Sequence, residues 1–438
     1  MSRSTRWLAT AAAVALLCSV GATIGGQTAG AAVRARTSQQ VTLTVWDQFT
    51  GPETTAVDKL YHNFTAAHPT ITIRREAVQT DQMRQTVKTA LASGTGPDII
   101  FYDAGPGYAG VLANAGLLRP LDAYAATYNW NARVIPSARE GVMINGKVYG
   151  LPLQVDLIGV YYNKTLIDKA KLTVPRTVDQ LISFCGQAKA KGYIPMAFSD
   201  KPGWQAFHEF SMLSNNIVGP EAMRQLLLHN KGNWNTPQMT KAIQLFFVDM
   251  QKAGCFPPHV NALGYDDANS LFYTGKALLN PTGSWLSTNI DQNVKNYQIG
   301  MMPFPAVSGG KGSFWDTGVG SAYYISSKSQ HPKEAAQFLD YLISQQAVKV
   351  WVEQTGSFPP VKFDTRAAHV SPLFRSILNV LQSGINGKTQ FGYNIDVLAP
   401  APFNTAMQNG FQAILAGSES AQQETSQLQT AWQQGKKG

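Results

Sequence analysis

The chain has 438 residues, 44% of them apolar and 14% charged; that is room for two or three domains of ordinary size, and too apolar for a disordered chain. Its formal net charge of +9 is dispersed, with no basic run longer than Lys436-Lys437. This excludes the concentrated basic face or arm of a nucleic-acid binder and reads instead as solubility, or attraction to an acidic envelope.

Residues 1–31 read as a signal peptide. Arg3 and Arg6 form a positive start, Leu8 to Val20 is mostly Ala, Val and Leu, and Ala29-Gly30-Ala31 supplies the small residues of a cleavage site. The competing reading, a membrane anchor, is weakened by the Ala, Gly and Thr content of the stretch. Cys18 raises the question of lipid attachment, but Leu17 stands where a lipoprotein signal wants a small residue. Loss of Arg3 and Arg6 lowers the charge from +9 to +7 and leaves two cysteines, Cys185 and Cys255. In an exported chain such a pair is expected to form a disulfide, the alternative being two buried thiols.

Residues 32–40 read as a disordered leader. Val41 to Val45 alternates with period two, a strand signal, and Val57, Leu60, Tyr61 and Phe64 then fall on one helical face. Ile71 and Ile73 begin a second strand, a helix is expected from Asp81 to Ala92, and Pro97 to Tyr102 is the continuous apolar run of a strand covered on both faces. The order βαβαβ predicts an α/β lobe with a mainly parallel sheet, whose ligands sit at the carboxyl ends of the strands. Two loops occupy such ends: Trp46-Asp47-Gln48, and Asp103 to Tyr108. A second αβ pattern starts near Ile158, which follows the extended segment Gly150 to Asp156 with no helix between. Thr177 to Gln180 reads as a capping box, Ile194 to Phe198 as a strand, and 239–253 and 266–275 as helices. A helix is expected from Pro332 to Ile343, and two more over 404–434, parted near Gly417.

Several segments, in order along the mature chain, are similar to the extracellular solute-binding proteins of carbohydrate ABC importers, the group typified by maltose-binding protein. They are Gly96-Pro-Asp-Ile-Ile-Phe-Tyr102, Ala115-Gly-Leu-Leu118, Gly146-Lys-Val-Tyr-Gly-Leu-Pro152, Tyr162-Asn-Lys164, Phe272-Tyr-Thr-Gly-Lys-Ala277, Gly283-Ser-Trp285, Met302-Pro-Phe-Pro305 and Gly356-Ser-Phe-Pro359. The resemblance implies a two-lobed α/β fold of the periplasmic-binding-protein type II, with a hinge of several strands and a ligand cleft between the lobes. One lobe would take residues 41–155 and 281–328, the other 156–280 and 329–434. It also implies an exported monomer that captures a mono- or oligosaccharide and passes it to membrane permease subunits, with no cofactor, metal or catalytic group.

A sugar presents apolar C–H faces to aromatic rings and a rim of hydroxyls to fixed acceptors, of which a carboxylate is the strongest. Carried over by position, the candidate ligands are Trp46, Asp47, Gln48, Tyr102, Asp103, Asp156, Trp204, Trp285, Phe391 and Tyr393. Trp315 and Asp316 join them because they lie on a glycine-flanked segment near an expected lobe crossing. Asp98 and the pair Asp266-Asp267 are read as caps, and Tyr162 and Trp351 as core. After Tyr102 the chain carries Ala104-Gly-Pro-Gly107 where the maltose binder has charged residues, so no charge is transferred there. A secreted hydrolase would need a marked carboxylate pair or nucleophile motif, and none is present. A binder of anions or amines would keep the fold; candidate loops with aromatics, aspartates and no arginine favour a neutral polyhydroxyl ligand.

Overall fold

The computed structural model describes residues 40–361 and 363–436. The signal peptide, Cys18 and all of the leader but Gln40 lie outside the described residues. Among the described residues no helix is long and apolar enough to cross a membrane.

The start of the chain forms as its pattern predicts. Strand β1 (Val41–Asp47), helix α1 (Thr54–Ala67), strand β2 (Ile71–Ala77), helix α2 (Thr80–Ser93) and strand β3 (Ile99–Asp103) alternate. β1 lies parallel to both β2 and β3. The apolar face of α1 buries Val57, Leu60, Tyr61 and Phe64, and all of β3 is buried. Asp98 ties this lobe together, accepting from Thr44 N and Oγ1, both at 2.9 Å, and from Ser329 Oγ at 2.7 Å.

Two long strands then carry the sheet onward. The strand Gly150–Asn163 pairs through its first half with the strand Trp315–Ile325, which itself pairs antiparallel with β3. Through its second half it pairs with the strands Ala277–Gly283 and Ile299–Met302. The continuous sheet runs β2, β1, β3, 315–325, 150–163, 277–283, 194–196, so its parallel start gives way to antiparallel pairing from β3 onward, until 194–196 adds parallel to 277–283. The register of these strands slips between Val319 and Ser321 and again before Ala322. A bulge there bends and twists the ladder, at the place where the chain passes between two cores.

The first core gathers β1 to β3 and the buried side chains from Ala335 to Leu381. The second gathers Ile158, the helix Val178–Ala190, the helix Gln205–Val218 and the last two helices. The lobe limits drawn from the sequence are therefore displaced in three places, one of them the helix Tyr265–Tyr273, whose Phe272 packs on the first core rather than the second. Residues 335–381 pack on the first core rather than the second, and Met302, Phe304 and Val307 pack on the second rather than the first. The reason is the helix Pro332–Leu342, which buries Ala335, Ala336, Phe338, Leu339 and Leu342. Phe338 meets Tyr61 and Phe64 of α1 at ring-centroid distances of 5.0 Å each.

Local signals elsewhere hold with small changes. Thr177 Oγ1 accepts from Gln180 N at 3.2 Å, but the Gln180 side chain accepts from Arg176 N rather than closing the box on Thr177. The 239–253 pattern becomes the helix Pro237–Ile243 continued by a π-helical stretch, Gln244–Met250. The last helices are Ala401–Leu415 and Ala421–Gly435. Trp351 is fully buried and donates to Leu342 O at 3.0 Å. Cys185 and Cys255, both fully buried, form a disulfide in the second core.

Glu424 is an internal weak point. Its carboxyl is pressed against Gly410, where a Cβ would collide with Oε2, and neither oxygen has a hydrogen-bond partner. Burial, with some help from Glu419, raises its pKa from 4.5 to about 9. A raised acid pKa gives stability that is complete below the unfolded value and is lost as pH rises through the folded value. At pH 7 the folded protein must therefore hold a proton that the unfolded chain releases. Glu424→Gln removes that demand and is expected to raise stability near neutral pH by about 3 kcal/mol. The check is urea unfolding of both proteins at mildly acidic and mildly alkaline pH. The gain should grow with pH, and a constant difference would contradict the assignment.

Candidate functional site

The carboxyl ends of β1 and β3, the start of α2, the strand crossing near Asp156 and the loops around Trp204, Tyr265, Trp285 and Asp396 converge on one cleft of about 1040 Å³. It lies between the two cores, where the strand order brings ends of distant elements together. A smaller depression of about 770 Å³ draws on the single stretch 162–187 plus Met302, and so joins no distant elements.

One wall is aromatic. Trp204 and Trp285 stand 6.2 Å apart by ring centroids, Tyr265 lies 4.8 Å from Trp204, and His208 lies 5.4 Å from each tryptophan. Trp285 Nε1 donates to Tyr265 Oη at 2.8 Å, and that hydroxyl is bonded in turn to Thr282 Oγ1 at 2.9 Å. The indole is thus held in one orientation. It lies against Gly283, where any Cβ would strike the ring. Burial and the nearby Arg84 push the His208 imidazole down to about 3, so it is neutral.

The floor is acidic. Asp103 accepts Arg84 Nε and Nη2 at 2.9 Å each, a two-pronged pair that fixes the guanidinium. The same guanidinium lies 5.1 Å from the Tyr108 ring and 5.7 Å from the Trp204 ring. Asp156 accepts from Gln154 Nε2 at 2.8 Å. Burial pushes its carboxyl up to about 7, Gln154 opposing and the charges of Asp103 and Asp396 adding to it. Asp396 is likewise pushed up to about 6 by burial, against the pull of Arg84.

Of the residues expected from sequence, Gln48, Asp103, Asp156, Trp204 and Trp285 line this cleft. The others are placed elsewhere. Asp47 is fully buried with its oxygens committed to Arg75 Nε and Nη2 at 2.7 Å each, Tyr61 Oη at 3.1 Å and Phe49 N at 3.1 Å. Trp46 packs on the first core, and Tyr102 is buried in β3. Trp315 fills the space over Gly159. Asp316 is fully buried and accepts from Asn215 Nδ2 at 3.1 Å. Phe391 and Tyr393 form a short strand beside 315–317, with Phe391 packed over Gly384. None of these seven lines the cleft, because strand alternation turns them to the other side or a buried partner holds them.

Arg84, His208, Tyr265, Asn394 and Asp396 line the cleft and were not singled out. His208 was within reach of the sequence, since it follows Trp204 by one helical turn. Asp396 follows the aromatic pair Phe391 and Tyr393 that marked its loop. Arg84 carried no signal, because an arginine on an amphipathic helix reads as part of a solvated face. Asp266 and Asp267, expected to cap a helix, sit in its first turn without a capping bond, the N-cap being Gly264, and they also line the cleft.

The model of the bacterial extracellular solute-binding protein family matches residues 46–349. The chain belongs to that family. A multiple sugar-binding protein of Streptococcus mutans is 30% identical over 223 residues, 50% of this chain and 53% of that protein. The match therefore spans about half the length of this relative. A structure solved in work on xylan utilization by Caldanaerobius polysaccharolyticus superposes with a TM-score of 0.80 at 26% identity, covering 89% of this chain and 99% of the other. The maltose/maltodextrin-binding domain of Bdellovibrio bacteriovorus, bound to maltotriose, gives a TM-score of 0.70 at 20% identity over 91% and 100% of the two chains, a likeness of fold. The chain thus has the two-lobed α/β fold that the sequence led one to expect.

Proposed function

We propose that this chain is the exported capture subunit of an ABC-type importer, taking a mono- or oligosaccharide into the cleft and delivering it to membrane permease subunits as a monomer. The observation that carries the reading is one cleft with a fixed tryptophan and tyrosine wall facing buried carboxylates, the pairing a sugar's C–H faces and hydroxyls need. The relatives' sugar ligands and the family's extracellular character agree with it, as does the signal peptide read in residues 1–31.

Capture works as a clamp. Gln48, Arg84 and Asp103 belong to the first lobe, against whose core Tyr265 also packs, Trp204 and His208 to the second, and Asp156 to the strand crossing between them. Only the closed form brings ligand contacts from both sides, so ligand shifts an open population to closed. Shifting the balance from mostly open to mostly closed needs about 10⁴-fold tighter binding by the closed form. A thermal-shift screen over sugars, amines and anions identifies the ligand class. Small-angle scattering should then show a smaller radius of gyration with the stabilising sugar. An unchanged radius at saturation would refute the clamp while leaving the sugar site standing.

A further inference from the structure

The cleft carries the opposite charge to the chain around it. The whole sequence is formally +9. Seven carboxylates nevertheless line the cleft: Asp103, Asp156 and Asp396 on its floor, and Glu53, Asp81, Asp266 and Asp267 towards its mouth. Arg84 and Lys201 are the lining cations, which leaves two positive against seven negative, a formal −5. Arg84 is moreover spent on Asp103, which takes both prongs of its guanidinium.

Neither Asp156 nor Asp396 is joined to a cation by an ion pair, although Arg84 bears on Asp396 from a distance. Asp156 has the neutral amide of Gln154 at 2.8 Å. Asp396 Oδ2 receives the Tyr108 hydroxyl at 3.3 Å, the Val397 backbone N–H also favours the ionised carboxyl, and Oδ1, in a residue 4% exposed, is otherwise unsatisfied. Burying a carboxylate without a compensating charge or full hydrogen bonding is costly. Here the cost is compounded, because each of these carboxyls also feels the other acids of the floor. A neutral hydroxyl would donate one bond to each and do nothing about their mutual repulsion. A protonated amine would donate bonds to both and cancel charge as well. A metal ion is the other conceivable counter-charge, but among the described residues no group of three or more His, Cys, Asp or Glu is placed to hold one.

The facing wall suits the same ligand. Trp204, Tyr265 and Trp285 present π-faces, and the neutral His208 adds no positive charge to repel a cation. That a guanidinium already lies 5.7 Å from the Trp204 ring shows the wall tolerates one. At the mouth, Asp266 is raised by burial, by Asp267, and by Asp81 on α2. An entering cation would relieve that repulsion and be steered by it.

We propose that the cleft selects a sugar bearing a protonated amino group, with the ammonium between Asp156 and Asp396 and the ring faces on Trp204 and Trp285. The proposal rests on the sugar reading above and narrows it from a neutral polyhydroxyl ligand to a cationic one.

The test is calorimetric titration of glucosamine, N-acetylglucosamine and glucose, and of their matching disaccharides, at low and high salt. The amino sugars should bind at least about tenfold tighter than the other two at low salt. That advantage should shrink as salt rises, while the affinities of the uncharged sugars stay nearly constant. Asp156→Asn combined with Asp396→Asn should erase both the preference for amino sugars and its salt dependence, while any loss of hydroxyl acceptors falls on charged and uncharged sugars alike. If uncharged sugars bind as tightly as amino sugars, or amino-sugar affinity ignores salt, the inference is wrong and the sugar reading stands. If no sugar binds, the sugar reading itself falls. The salt series on the unaltered protein decides the matter even where the double variant fails to fold.

Discussion

Trp285→Ala should weaken sugar binding by about 2–4 kcal/mol, roughly 30- to 1,000-fold, while leaving the protein folded. Three features set the size of the effect. The ring lies in the cleft between the two cores and is packed partly against both. Its orientation is fixed by the 2.8 Å bond from Nε1 to Tyr265 and by contact with Gly283, so no conformational freedom is lost on binding. Its neighbours Trp204 and His208 stand at 6.2 and 5.4 Å and cannot fill its place without leaving their own. Trp285→Phe is the informative companion: it keeps a face for stacking but drops the bond to Tyr265, so an intermediate loss is expected. Titration of the three proteins with the same sugar checks both values. Equal affinities for the alanine variant and the parent would remove Trp285 from the site.

Loss of the Cys185–Cys255 bridge should cost about 4 kcal/mol of folding stability on the loop-entropy account, since the cysteines are 70 residues apart in sequence. Spread over the roughly 400 described residues, that corresponds to a fall in melting temperature of about 5 °C. Replacing both cysteines with alanine avoids leaving two buried thiols and is the variant to melt. Both sulfurs are fully buried in the second core, so reductant should act slowly on the folded protein and fast once it is unfolded. Thiol labelling in denaturant before reduction gives the direct count. Two reactive thiols, or a variant that melts with the parent, would contradict the expectation. Sugar affinity should change little, because neither cysteine lines the cleft.

The opening βαβαβ unit, the apolar face of α1 and the break between the last two helices were all readable along the chain. Each depends on residues a few positions apart: a helix face repeats every three or four residues, a strand face every two. The strand crossing at Gly150–Asn163 was legible for the same reason, as a long extended run with no helix to interrupt it. Trp204 and Trp285 were legible through the order of segments shared with a family. What sequence alone did not decide is which polar residue is free to meet a ligand. Asp47 and Asp103 end neighbouring parallel strands and look alike on paper. Arg75, arriving on β2, seals the first inside the lobe, while Arg84, arriving on α2, holds the second at the cleft. Asp316 and Asp396 divide in the same way: one is covered by Asn215 and the edge strand 391–393, the other opens on the cleft. The assignment of 335–381 to the first core was equally out of reach, since it depends on Phe338 meeting an aromatic face built almost 280 residues earlier. Secondary structure is set by neighbours in sequence; the solvation and charge of a carboxylate are set by whichever chain segment folds against it.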